Sequence, residues 1–173
     1  MDGSGSMGYG SEGRSKLEYS CVLGASLAYL LLRQQDAVGL IASGKPVHYL
    51  PPRSRSSYFQ ETISAMVAFE GRNNINLDVL MNHVLDVATR RSLLIIFSDL
   101  FDLPDGSSKL LQQVRASGHD IVIFHVFDHA ELTFPFNEPA LFRSLEEEKN
   151  LNVQPRGIRA AYFEQLVQFR GYW

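Results

Sequence analysis

Leu93-Leu94-Ile95-Ile96-Phe97-Ser98-Asp99 is the stretch that decides how this chain folds. Five consecutive apolar residues with a β-branched pair at their centre suit a strand buried on both faces, and the run stops at a hydroxyl and a carboxylate. Ile121-Val122-Ile123-Phe124-His125-Val126-Phe127 repeats the pattern and stops at Asp128. Between the two, Asp105 to Ser117 places Leu110, Leu111 and Val114 at helical spacing, with Gly118 as terminator. Upstream, Ala37-Val38-Gly39-Leu40-Ile41-Ala42 is a third apolar run between turn residues. After the turn Ser43-Gly44-Lys45-Pro46, Val47 to Leu50 returns as an edge strand that Pro51-Pro52 ends, with His48 facing outward.

Helices fill the intervals. Leu17, Cys21, Gly24, Ala25, Ala28, Leu31 and Leu32 recur at helical spacing, and Val22, Leu23, Leu27, Tyr29 and Leu30 fill much of the remaining circumference, so this helix should be buried on more than one side. Ser57-x-x-Gln60 has the form of a capping box, opening a helix that turns Ile63, Met66 and Val67 inward and stops at Gly71. Leu77, Leu80, Met81, Val84, Leu85 and Ala88 mark another amphipathic helix. Beyond Asp128 the chain changes character: Phe134-Pro135-Phe136 is extended, Glu146-Glu147-Glu148 reads as a solvated turn, and Leu151 with Val153 reads as a short strand. A helix from Ile158 to Phe169 closes the chain, with Phe134, Phe136 and Phe142 packed beneath it. Apolar strands alternating with helices predict an α/β fold: a mostly parallel central sheet with helices on both faces and one antiparallel edge strand.

Composition narrows the function. With 173 residues, 45% of them hydrophobic and 20% charged, the chain reads as one domain spanning 1–173. A net charge of −3 without a run of Lys or Arg argues against a phosphate-backbone binder, so no nucleic-acid partner is expected. Cys21 is alone in an apolar helix, which excludes an internal disulfide and fits a reducing, cytoplasmic compartment. The most apolar segment, Cys21 to Leu32, is 12 residues long, whereas roughly 20 are needed to cross a bilayer. No membrane contact by this chain itself is expected, and the acidic, Gly/Ser-rich N-terminus does not resemble a signal peptide.

In an open parallel sheet, ligands bind beyond the carboxyl ends of the strands. Asp99 and Asp128 both fall on that edge. The opening octapeptide, Met1-Asp2-Gly3-Ser4-Gly5-Ser6-Met7-Gly8, offers one carboxylate and two hydroxyls at alternate positions, with glycines that let the backbone bend tightly. Asp2, Ser4, Ser6 and Asp99, with Asn73 or Asn74 from the loop Gly71-Arg72-Asn73-Asn74, would form an oxygen-only, incompletely filled site suited to Mg²⁺ or Mn²⁺ rather than Zn²⁺. An open coordination position there would accept a partner's carboxylate. Asn74, Asp102 and Asp128 are candidates for contacts farther out, and Glu131 for a place on the rim. Two other readings of the octapeptide stay open: a Gly3-x-Gly5-x-x-Gly8 dinucleotide fingerprint, and a flexible terminus with no ligand. A metal-dependent hydrolase or phosphoryl-transfer enzyme using the same oxygens is the alternative function. It would need a general base, and no His on a predicted strand end faces that loop. His125 and His129, four apart along a strand and its following turn, do not share a face as they would on a helix.

Asp2-x-Ser4-x-Ser6, the Gly71-Arg72-Asn73-Asn74 loop and Ser98-Asp99 after an apolar strand resemble the three loops of the metal-ion-dependent adhesion site of von Willebrand factor A-type domains. More narrowly, five stretches resemble the domain-of-unknown-function 58 family, discussed beside MoxR-type AAA ATPases. They are Lys16-Leu17-Glu18-Tyr19, Ala25-Ser26-Leu27-Ala28-Tyr29-Leu30, Tyr49-Leu50-Pro51-Pro52-Arg53, Phe97-Ser98-Asp99-Leu100, and the run from Phe124 to Leu132. The resemblance implies a Rossmann-like von Willebrand A fold in which the two serines ligate the cation directly and the aspartates act mostly through water. It implies binding or scaffolding rather than turnover, with a protein partner, a MoxR-type AAA ATPase or its substrate. The family's second loop usually offers a threonine where this chain has Asn73. The family also places its central first strand immediately before the motif, so the resemblance implies a chain truncated before that strand, from a parent that carries a membrane anchor.

Overall fold

The computed structural model describes residues 1–42, 47–69, 77–101, 107–145 and 149–172. The chain forms two compact units, Met1–Asp128 and His129–Trp173. In the first, a 3₁₀ turn at Gly5–Gly8 precedes helix α1 (Lys16–Arg33), strands β1 (Val38–Ala42) and β2 (His48–Arg53), helices α2 (Tyr58–Val67) and α3 (Leu77–Val87), strand β3 (Leu93–Ser98), helix α4 (Ser107–Ala116) and strand β4 (Asp120–His125). The second holds helix α5 (His129–Thr133), strands β5 (Ala140–Arg143) and β6 (Asn150–Val153), and helix α6 (Pro155–Tyr172).

Helix α1 starts on a capping box that the spacing had suggested elsewhere. The Ser15 hydroxyl accepts from the Glu18 N–H, and the Glu18 carboxylate accepts from the Ser15 N–H, satisfying two donors that no helical carbonyl can reach. Its buried face runs Lys16, Leu17, Ser20, Gly24, Ala28 and Leu32. The opposite face is apolar too, yet Val22 and Leu30 are more than half exposed, so the helix is buried on one side and not on several. At Ser57, by contrast, the expected box does not form. The backbone there is already helical, and turn carbonyls of Arg55, Ser56 and Ser57 take the N–H groups of Tyr58, Phe59 and Gln60. The buried stripe of α2 is consequently Tyr58, Thr62 and Met66, while Val67 points to solvent, against expectation. In α3, Leu77, Leu80, Met81 and Val84 are buried as their spacing predicts.

β3 and β4 pair in parallel, from Leu93 opposite Asp120 to Ser98 opposite His125, so Asp99 leaves the same end as the residues that follow β4. β1 and β2 pair antiparallel, and β2 runs through Pro51 and Pro52 instead of stopping before them. An irregular register between Val38 and Leu40 accommodates the two prolines. Gly39 lies opposite, where a Cβ would approach the Pro52 ring and the Leu50 carbonyl to 3.0–3.1 Å.

The mostly parallel central sheet expected from the alternation is not seen. Among the described residues the strands form three two-stranded sheets, β1–β2, β3–β4 and β5–β6. What lies between β1 and β3 is the backbone of Met1 and Asp2: the Met1 amine donates to the Ile41 carbonyl at 2.6 Å, and the Asp2 N–H to the Phe97 carbonyl at 3.1 Å. One rung on each side is too few to join the pairs into a single sheet. Nor are the apolar runs covered throughout, since Leu93 and Val122 are largely exposed. The 43–46, 70–76, 102–106 and 146–148 segments lie outside the described residues, and with them the expected turn at Ser43-Gly44-Lys45-Pro46, the helix stop at Gly71, the helix start at Asp105 and the acidic turn.

Candidate functional site

A core cluster of Met7, Leu17, Ala42, Phe69 and Val126 anchors the opening loop, with Met1, Cys21 and Phe124 packed against it. Met7 is fully buried, so the octapeptide is an integral part of the unit and not a loose terminus. Burial lowers the Met1 amine to about 6 from an ordinary 8.0, the Asp2 charge partly opposing the shift. The loop bends because Asp2 accepts the Ser4 N–H on one carboxylate oxygen at 2.9 Å, a local turn that short acidic side chains favour. The Ser4 and Ser6 hydroxyls then lie 3.1 Å apart.

The second carboxylate oxygen of Asp2 accepts from the Ser98 hydroxyl, 96 residues further along the chain. Ser98 Oγ in turn accepts the Leu100 N–H at 2.9 Å, and Asp99 Oδ1 accepts the Phe101 N–H at 3.2 Å. The turn that makes these bonds passes through Leu100, whose φ of 60° lies in the left-handed region that bulky side chains rarely adopt. Asp2, Ser4 and Asp99 are thus buried close together, with the half-buried Ser6 beside Ser4. Burial raises the Asp2 carboxyl above its ordinary range, and the neighbouring Asp99 charge adds to the rise against the pull of Ser98 and Ser4.

Three of the cluster's residues were not assigned from sequence. Lys16 Nζ donates to Asp99 Oδ2 at 2.7 Å, with the two side chains 2% and 1% exposed. Its signal lay in the spacing: Lys16, Ser20, Gly24 and Ala28 form a stripe of small or polar residues on the buried face of α1, and a cation that begins such a stripe needs an internal anion. Ser98, quoted only as part of a strand end, holds Asp2. His125, the last residue of β4, reaches the Asp99 carbonyl with Nε2 at 3.0 Å. A histidine does therefore stand at a strand end beside this cluster, its Nε2 on the Asp99 main chain.

Asp128 sits elsewhere, between β4 and α5, where its carboxylate accepts from both the N–H and the hydroxyl of Ser11 on the exposed stretch after the octapeptide. Asn73, Asn74 and Asp102 fall outside the described residues. Among the described residues no group of three or more His, Cys, Asp and Glu is placed to hold a metal. The hydroxyl pair is the observation that fits a hard cation. Neighbouring oxygens around an octahedral ion with bonds of about 2.1 Å are about 3.0 Å apart, close to the 3.1 Å between Ser4 and Ser6. The dinucleotide fingerprint fits less well, because that motif opens a helix on its glycines and here α1 begins only at Lys16.

The profile described as "Protein of unknown function DUF58" matches residues 1–170. No protein of curated function matches the chain. Among solved structures, an aerotolerance-related membrane protein from Bacteroides fragilis, carrying multiple mutations to serines, is similar at a TM-score of 0.62 and 15% identity. The likeness covers 90% of this chain and 79% of that one, and at this identity it speaks for the fold: a mixed arrangement of helices and short strands. Among the described residues no helix is long and apolar enough to cross a membrane.

Proposed function

The chain belongs to the family of proteins of unknown function DUF58, and from that premise we propose that it is a divalent-cation-dependent protein-binding module. On this reading the fold is the Rossmann-like von Willebrand A fold, supported by the backbone of Met1 and Asp2, which bonds to β1 on one side and β3 on the other. Mg²⁺, or Mn²⁺, would be held by Ser4 and Ser6 directly and by Asp2 and Asp99 through water. When bound, the ion supplies a positive point that a partner's Asp or Glu completes. The observation that carries the reading is the pair of hydroxyls 3.1 Å apart beside two buried carboxylates from distant loops. Binding is favoured over turnover because the nearby imidazole is engaged by a main-chain carbonyl. The partner on this reading is a MoxR-type AAA ATPase or its substrate, met on the cytoplasmic side. An anchor elsewhere in the parent is supported by the description of the Bacteroides fragilis protein as a membrane protein.

The test is thermal unfolding in acetate buffer with Mg²⁺ or with EDTA. An ion at ten times its Kd should raise Tm by about 3–6 °C, and Ser4→Ala with Ser6→Ala should abolish the rise. Superimposable curves in Mg²⁺ and EDTA overturn the reading.

A further inference from the structure

We propose that Lys16 makes cation loading of this site conditional on an acidic ligand, its ammonium acting as a tethered charge that disfavours a divalent ion arriving alone. The inference rests on the reading of Asp2, Ser4, Ser6 and Asp99 as a cation site and adds how that site is regulated.

Lys16 is an expensive residue in its position. It occupies the first turn of α1, where the helix dipole disfavours a cation. Its ammonium is almost wholly removed from water, and a buried ion pair seldom recovers that cost in stability over an apolar pair of the same shape. A helix start fixed by the Ser15–Glu18 box and a main-chain bond from Lys16 N–H to the Tyr9 carbonyl at 2.9 Å hold its backbone in place. The Phe101 ring lies 5.0 Å from the ammonium, adding a second favourable contact for a positive charge. The outcome is a cluster of two carboxylates, Asp2 and Asp99, in which Asp99 already holds an internal cation.

A divalent ion entering that cluster leaves it one positive charge in excess. An incoming carboxylate cancels the excess, so ion and acidic ligand each raise the affinity of the other, as linkage requires. A lone Mg²⁺ or a lone acidic side chain gains little, which would confine adhesion to the moment when both are present.

The experiment is Mn²⁺ binding, followed by the loss of the free-ion electron paramagnetic resonance signal. It compares wild type and Lys16→Met in sodium acetate and in sodium chloride at equal ionic strength. In wild type, acetate should tighten Mn²⁺ binding by roughly 5-fold or more. Lys16→Met should bind Mn²⁺ about tenfold or more tighter than wild type in chloride, with acetate changing its affinity by less than about twofold. If Lys16→Met does not fold, Lys16→Gln keeps a hydrogen-bond donor toward Asp99 without the charge and should behave in the same way. Wild-type binding that is indifferent to acetate, or variants that bind no more tightly than wild type, overturns the inference and leaves the cation site standing. Wild type and variants that all fail to bind Mn²⁺ in either salt overturn the cation site and this inference together.

Discussion

One cluster in each unit stands apart from ordinary aliphatic packing, and the two are built from opposite materials. In Met1–Asp128 it is polar: Asp2, Ser4, Lys16, Ser98 and Asp99 are all nearly inaccessible. In His129–Trp173 it is aromatic: Phe134 lies 5.3 Å from Phe136, 6.2 Å from Phe142 and 4.6 Å from Tyr162 of α6, centroid to centroid. Arg159 braces that loop by donating to the Phe134 and Phe136 carbonyls and to Asn137. Each cluster also contains an apolar residue in the left-handed region, Leu100 at φ 60° and Phe134 at φ 45°. At Phe134 that conformation accompanies a buried ring, a gain that stability alone explains. At Leu100 it belongs to the turn whose N–H groups bond Ser98 and Asp99, and the gathered carboxylates and ammonium do not repay their burial through stability. On that difference rests the proposal of a function for the polar cluster, where the aromatic one needs only a structural account.

The comparison is sharpest where a charge is stranded. Lys16→Met should destabilise the cation-free protein by about 3–5 kcal/mol, read by urea unfolding, because Asp99 is left buried without its cation. Adding Asp99→Asn should recover much of that loss, and a double variant as unstable as Lys16→Met would show that the pair is not what matters. Phe134→Ala should cost a similar or slightly smaller amount, about 3 kcal/mol, by emptying the centre of the rings. It should leave Mn²⁺ binding unchanged, and a loss of binding would erase the distinction between the clusters.

Asp2 gives a pH test in EDTA. Its folded pKa lies above the ordinary 3.8, so its favourable contribution is present below 3.8 and is lost as pH rises through the raised value. Asp2→Asn should therefore gain on wild type as pH rises from 3.8 toward neutrality, and a difference constant across that range would refute buried charging of Asp2. The smallest effect is expected at Asp128→Ala. Its bonds to Ser11 are exposed, so the stability change should stay within about 1 kcal/mol and cation binding should not move.

Much of this site could be read before folding, because its residues stand at element ends that local pattern marks. The apolar run into Ser98-Asp99 located one carboxylate, and the glycines around Asp2, Ser4 and Ser6 located the other with its hydroxyls. Lys16 escaped notice because its partner is 83 residues away and only its place at the head of the small, polar stripe of α1 points to an anion. The capping box was misplaced for a related reason: Ser57-x-x-Gln60 and Ser15-x-x-Glu18 look alike on paper, and only the preceding turn decides which serine is needed.

The amino-acid order by itself marked helices α1 and α3, strands β3 and β4, and the strand end at which Asp99 stands, since periodicity and chain breaks act over a few residues. Tertiary structure alone decided that Lys16 shares the cluster, that the Met1–Asp2 backbone bonds to both β1 and β3, and that one side of α1 faces water. Those outcomes depend on which distant surfaces exclude water from each other, and the free energy of a buried charge is set by whatever closes around it.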